Sequence, residues 1–193
     1  MQELAVKWRW LWRSKVAWRD LPWAKLARVV AQAWWDGPRA DSLKAIGEAG
    51  CVAVFCSSQR ANQGMAQYMT QADPDILQAL TWYVSPEVLW LFSHYGSVED
   101  TVPLLESPSP GTHEGTAWVT ERMREQDEVI VAVVAAPCHL PRIRACFETL
   151  GVRVVVPRGL RSIGWSDYPL HWLKWRLREI VVVLAYARQG YIR

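Results

Sequence analysis

The stretch "AAPCHLPRIRACFETLG", residues 135–151, places a histidine and two arginines directly behind "VIVAVVAA", eight residues without a charge. His139 is suited to proton transfer, because an unperturbed imidazole titrates near ~6.5. Arg142 offers a planar fork of N–H groups that grips a carboxylate or phosphate in two places. Comparable groups gather in "SSQR" (Ser57, Ser58, Arg60), in "ESPSPGTHEG" (Glu106, Ser109, Thr112, His113, Glu114) and in "AWWDG" (Asp36). Each of these four stretches reads as a loop that follows a strand. Ligands of open parallel sheets bind outside the carboxyl ends of the strands.

The chemistry expected there is the handling of an anion. Helices opening near Thr112 and Leu140 would aim free N–H groups and partial positive charge at the strand tips. Arg142 would add a full charge, with Ser57, Ser58, Ser109 and Thr112 as further ligand contacts. His139 would move protons together with Glu106 or Glu114. Each residue also has a plainer reading. His139 could cap a helix, Glu114 suits a first helical turn on dipole grounds alone, and Asp36 could serve its turn. His113 reads as exposed, and His94 and His171 as structural. Ser57 could attack as a nucleophile assisted by His139, but no acid that would orient the imidazole stands out. One imidazole and two carboxylates from separate loops are too loose a set to assign a metal.

Several familiar chemistries lack their motifs. There is no GxGxxG and no GxxxxGK[ST], which argues against a standard dinucleotide site or phosphate loop. There is no GxSxG elbow. Cys51, Cys56, Cys138 and Cys146 form no CxxC pair, so a zinc ribbon is not indicated, and they read as thiols of a reducing compartment.

The elements that must carry these loops are legible as an alternation. "LARVVAQA" (26–33), "CVAVFC" (51–56), "DTVPLLE" (100–106), "EVIVAVVAA" (128–136) and "VRVVVP" (152–157) read as strands or short apolar runs. "RADSLKAIGEAG", "QRANQGMAQYMTQA", "PDILQALTWYV", "PEVLWLFSHYG", "THEGTAWVTERMRE", "LPRIRACFETLG" and "LHWLKWRLREIVVVLAYARQG" read as helices between and after them. Alternating strands and helices imply a parallel sheet. The expected fold is α/β, a three-layer Rossmann-like sandwich of about five mainly parallel strands with helices on both faces. Residues 26–193 are expected to form that single domain, behind a basic, Trp-rich N-terminal segment, residues 1–25.

The net charge of +3 is too small to argue for nucleic acid. Its distribution says more: residues 1–28 carry seven basic and two acidic side chains, so this segment alone is +5. "WRWLWRSKVAWRDLPW" (8–23) interleaves tryptophan with arginine and lysine. It could lie on a bilayer surface, as Trp and Arg favour headgroups and anionic lipid. It could also pack its indoles on the domain and leave the basic groups solvated, which its irregular apolar stripe favours. No nucleic-acid module accompanies it. The longest apolar helical run, "IVVVLAYA" (180–187), is too short to span a membrane, which needs roughly 18–20 residues. No signal peptide is evident. These features point to a cytoplasmic protein, with peripheral membrane contact through residues 8–23 left open.

The loops also resemble a family. Members of the YdcF/SanA/ElyC-like family, domain of unknown function 218, carry "LE-x-x-S-x-N-T-x-E-N", then a strand ending "VTS-x-x-H-M-x-R-A", and later a Trp-containing stretch with an "RE" helix. Here "LESPSPGTHEG" supplies Leu105, Glu106, Ser109, Thr112 and Glu114 in register, with Gly111 and Gly115 at the asparagine positions. "VVAAPCHLPRI" supplies His139 and Arg142, with Ala135 and Ala136 in place of Thr–Ser. "WLKWRLREIVVVLAYARQG" is similar to the tail, including Arg178 and Glu179. Ser57 matches the first position of an "SGG" turn, where Ser58 replaces a glycine. The resemblance is that of a divergent member. It implies a Rossmann-like domain with a polar pocket, an S-adenosylmethionine-like or other nucleotide-like ligand, and a link to bacterial envelope biogenesis. The expected function is therefore a small-molecule-binding protein or enzyme, of transferase or hydrolase type, acting on an anionic, phosphorylated or nucleotide-like ligand. The alternative is a non-catalytic module that binds a membrane surface or a protein partner through its Trp/Arg-rich N-terminus.

Overall fold

A strand with neighbours on both sides and cover on both faces has no use for polar side chains, and two runs of this chain have none. Cys51–Val54 (β1) and Ile130–Val134 (β4) are buried along almost their whole length, at positions of both parities. A computed structural model describes residues 12, 15–34, 43–92, 101–103, 112–157, 160 and 169–193. In it β1 and β4 lie side by side and parallel, Val54 opposite Val134. On the other edge of β1 lies Thr81–Val84 (β2), followed outward by Thr101–Pro103 (β3). Beyond β4 lies Arg153–Val155 (β5). The order β3-β2-β1-β4-β5 is parallel throughout. The chain winds outward from β1 in one direction and then returns to β4, so the strand order reverses between β1 and β4. That is where a Rossmann-like sheet opens its crevice.

Among the described residues the α-helices are Trp23–Trp34 (α1), Gln59–Met69 (α2), Pro74–Ala79 (α3), Leu89–Phe92 (α4), Thr112–Glu125 (α5), Leu140–Thr149 (α6) and Pro169–Gln189 (α7). Helix α1 packs on both α6 and α7, and α5 packs on α6. Glycine stops two of them. Gly151 and Gly190 take φ of +84° and +81°, the left-handed conformation in which a side chain would be strained.

Two elements differ from the sequence reading. "LARVVAQA" is no strand but the body of α1, with Leu26, Val29 and Ala33 buried at a helical spacing. "TWYV" is no helix end but β2. The helix opened by Pro74 stops at Ala79, and the aromatic and β-branched residues beyond it fill a slot between β1 and β3. Trp82 is buried there, its indole N–H donating to the Leu77 carbonyl at 2.8 Å. "RADSLKAIGEAG" is described only from Leu43, as a 3-10 helix ending at Glu48. Helix α1 also runs through the expected boundary at 25/26. Ahead of it, Leu21 is buried with Leu26, Val29, Val182, Val183 and Tyr186.

All four cysteines are free thiols, and only Cys56 is exposed. No helix among the described residues is long and apolar enough to cross a membrane.

Candidate functional site: a buried imidazole–carboxylate pair behind strand β4

Beyond Val134 the chain passes through buried Ala135 and Ala136 and turns, with His139 N–H donating to the Ala136 carbonyl at 2.8 Å. His139 thereby stands at the start of α6 with Pro141 in the first turn, where a missing N–H costs nothing. Its backbone is already helical and its side chain makes no cap, so the capping alternative is set aside. The imidazole turns to α7 instead. Nδ1 lies 2.8 Å from Oε1 of Glu179, a carboxylate that is 0% exposed. Arg142 is one helical turn after His139 and reaches the same carboxylate. Its Nε donates to Oε2 at 2.8 Å and its Nη2 to Oε1 at 3.2 Å. Nη1 donates to the Thr112 hydroxyl, the first residue of α5, at 2.7 Å. Three helices are thus joined through one buried guanidinium.

Proton placement follows from this geometry. Arg142 Nη2 also lies 3.2 Å from His139 Nδ1. Nδ1 cannot accept from the guanidinium while donating to Glu179, and the shorter contact to a charged oxygen selects donation. In the neutral ring Nδ1 then carries the proton and Nε2 the lone pair, and Nε2 makes no hydrogen bond among the described residues. A buried carboxylate fixing the tautomer of an imidazole is the arrangement that prepares a general base.

The charges are set by the same neighbours. Burial alone would push the Glu179 carboxyl up, but Arg142 and then His139 outweigh it and hold it below the usual carboxylate range. For Arg142, burial pulls down, but the Glu179 carboxylate, its hydrogen bond to the guanidinium and the nearby Tyr186 together outweigh it, so the guanidinium stays charged. Its charge also faces the Tyr186 ring at 5.2 Å. Trp175 closes on the His139 ring edge-on at 5.6 Å. The neighbouring Cys138 and Cys146 thiols are pushed up by burial, Cys146 to about 12, so neither is a ready thiolate.

The neighbouring β1 tip is built differently. Asn62, buried on α2, accepts from Ser57 N–H at 2.7 Å and donates to the Ser57 carbonyl at 3.3 Å, fixing the loop. The Ser57 hydroxyl, half-buried, makes no hydrogen bond among the described residues. Ser58 caps α2 by accepting from Ala61 N–H at 3.3 Å.

Of the expected site residues, the structure joins His139, Arg142 and Thr112 in one hydrogen-bonded network and sets Ser57 and Ser58 at the adjacent strand tip. Glu114 is exposed in the first turn of α5 and outside the network. His113 is half-buried and stacks on Tyr191 with centroids 3.4 Å apart, so it is not the exposed residue expected. Asp36, His94, Glu106 and Ser109, and the side chain of His171, lie outside the described residues. The acid partner of His139 is Glu179, which was expected only as part of a similar tail. Its signal is physical: a single carboxylate opening the run "IVVVLAYA" must find a cation once that run is buried. Among the described residues no group of three or more His, Cys, Asp or Glu side chains could hold a metal ion. Neither a family model, nor a curated protein, nor a solved structure matches this chain.

Proposed function

We propose that the chain is a small-molecule-binding protein of enzyme type, acting on an anionic, phosphorylated or nucleotide-like ligand. In this reading the sheet is a three-layer sandwich of the YdcF/SanA/ElyC-like kind, and the ligand sits over the tips of β1 and β4. The observation that carries it is the buried Glu179–His139 pair at the strand-order reversal. A charged pair costs desolvation free energy that an apolar pair of the same shape would avoid. Here it leaves one imidazole nitrogen oriented and uncommitted.

The roles follow from the contacts. His139 Nε2 takes a proton from the ligand or from water, a step worth roughly 10²–10⁴-fold in rate. Glu179 holds the tautomer and stabilises the imidazolium that forms. Arg142 is a positioning residue whose N–H fork is already engaged by Glu179 and Thr112. The anion is then met by the Ser57 hydroxyl and the first-turn N–H groups of α2. A nucleotide-like ligand or S-adenosylmethionine would use the same donors. The reaction is of transfer or hydrolysis type, and the resemblance assigns it to envelope biogenesis.

A panel of inorganic phosphate, nucleotides and S-adenosylmethionine, read by thermal shift, tests this. A ligand that binds only the native state raises the melting temperature. The expected result is a rise in the parent that shrinks in Ser57→Ala and His139→Gln. A panel in which nothing stabilises the parent, or in which both variants respond as the parent does, overturns it.

A further inference from the structure

Helix α1 has an unusual outer face. Its inner residues Leu26, Val29 and Ala33 are buried against α6 and α7. The outer positions Trp23, Ala24, Ala27, Arg28 and Ala31 are all exposed. A solvated helix face ordinarily mixes charges of both signs. This one is three alanines, a tryptophan and an arginine, and α1 contains no acidic residue.

The turn before α1 extends that face. Leu21 anchors it, buried in the cluster formed with α7, while Val16 and Arg188 exchange hydrogen bonds. The tryptophans stay outside: Trp18 is 39% and Trp23 50% exposed. They stack at 6.2 Å and 12°, with Trp23 Nε1–H donating to the Trp18 carbonyl at 3.2 Å. Arg188 braces Trp18 with its guanidinium 4.6 Å from the ring. Trp18 thus touches the domain through Arg188 and, like Trp23, keeps a large part of its ring in solvent. Lys15 and Arg19 are exposed beside them, with the Asp20 carboxylate 3.6 Å from Arg19.

We propose that the outer face of α1, together with Trp18, is a docking surface for an anionic lipid bilayer. Indoles settle at the headgroup level with the ring in apolar surroundings and the N–H near polar groups. The small residues let the helix lie close to the surface, and the basic residues meet the lipid phosphates. Charge complementarity supports this, as residues 15–28 carry Lys15, Arg19, Lys25 and Arg28 against the single acid Asp20. A single-stranded nucleic acid fits less well. Its bases need open ring faces, whereas Trp18 and Trp23 present theirs to each other. This surface is independent of the strand-tip site.

Flotation of the full chain with two vesicle types tests it: pure phosphatidylcholine, and phosphatidylcholine mixed with phosphatidylglycerol. The expected result is flotation with the anionic vesicles only. Lys15→Gln with Arg19→Gln should lower partitioning on the order of twenty-fold, from about fivefold per basic residue. Ala24→Glu with Ala27→Glu places acids on exposed helix positions with no interior contact, and should abolish flotation. Trp90→Ala, on α4, should change nothing. Far-UV circular dichroism and melting temperature verify that each variant is folded. No flotation of the parent, equal flotation with neutral vesicles, or unchanged flotation of the Ala24→Glu/Ala27→Glu variant overturns the proposal. So does a dimer that this variant breaks, or retention of a single-stranded oligonucleotide, without flotation of the parent.

Discussion

Two glutamates at opposite ends of β4 make an instructive pair. Glu179 lies beyond the carboxyl end of β4 and Glu128 lies just before its amino end. Burial pushes both carboxyls in the same direction, up, and the outcomes are opposite. Glu179 meets a guanidinium and an imidazole and is held below its ordinary range. Glu128 meets the Cys51 thiol, which offsets burial only in part, so its carboxyl stays raised. Its Oε2 is buried without a hydrogen-bond partner among the described residues. Cys51 is pushed far up by burial and then by Glu128, and Tyr83 to about 12, with burial again first. The sheet thus has one pole where charge is organised and one where it is suppressed. Only the first is equipped for proton transfer.

The sharpest way to break this contrast is to strip Glu179 of its charge. Glu179→Leu leaves the Arg142 guanidinium buried and unpaired, and should cost about 3–5 kcal/mol in denaturant unfolding. Arg142→Met should cost a similar amount. The double variant Glu179→Leu/Arg142→Met should recover most of it, and simple addition of the two single losses would show that the pair is not coupled.

Acid titration separates the poles next. The folded Glu179 has a lowered pKa, so its contribution is full above the ordinary carboxylate range and fades as pH falls toward the folded value. Glu179→Gln should flatten that acid limb. Glu128 has a raised pKa, so its contribution is full below the ordinary range and lost as pH rises through the folded value. Glu128→Gln should therefore remove a decline on the other side, seen as a smaller slope of stability between mildly acidic and neutral pH. Slopes of the same sign for the two variants would erase the distinction.

Smaller effects refine it. Thr112→Ala removes an acceptor from a charged donor and should cost about 1.5 kcal/mol. Ser58→Ala removes the α2 cap and should cost about 1 kcal/mol, with no change in the acid limb. The least disruptive change is Gly50→Ala. Its Cβ would fall 2.2 Å from the Glu128 carboxyl, the mobile end of that side chain, which should swing toward water. The Glu128 titration, followed by NMR, should then move back toward the ordinary carboxylate value.

The parts legible in the sequence are those whose cause is local. A run such as "VIVAVV" admits few environments other than a buried strand, and the residues directly behind it, His139 and Arg142, inherit their location from it. Ser57 follows β1 by the same logic. What escaped had non-local causes. "TWYV" is a strand because β1 and β3 flank it, although the proline-opened helix before it suggests continuation. Leu26, Val29 and Ala33 show helical spacing only once the side facing α7 is known. Glu179 lies forty positions after His139, and no spacing rule connects them. The Trp-rich segment was ambiguous because Leu21, not an indole, does the anchoring.

That forty-residue separation has a consequence for how the protein comes into being. The residues at the tips of β1 and β4, His139 among them, emerge from the ribosome well before the helix that supplies Glu179. Until α7 has docked, the His139 ring is free to choose either tautomer. Fixing of that tautomer is therefore coupled to a late, long-range closure of the chain, and a nascent protein held short of that helix would have its strands but not the Glu179–His139 pair.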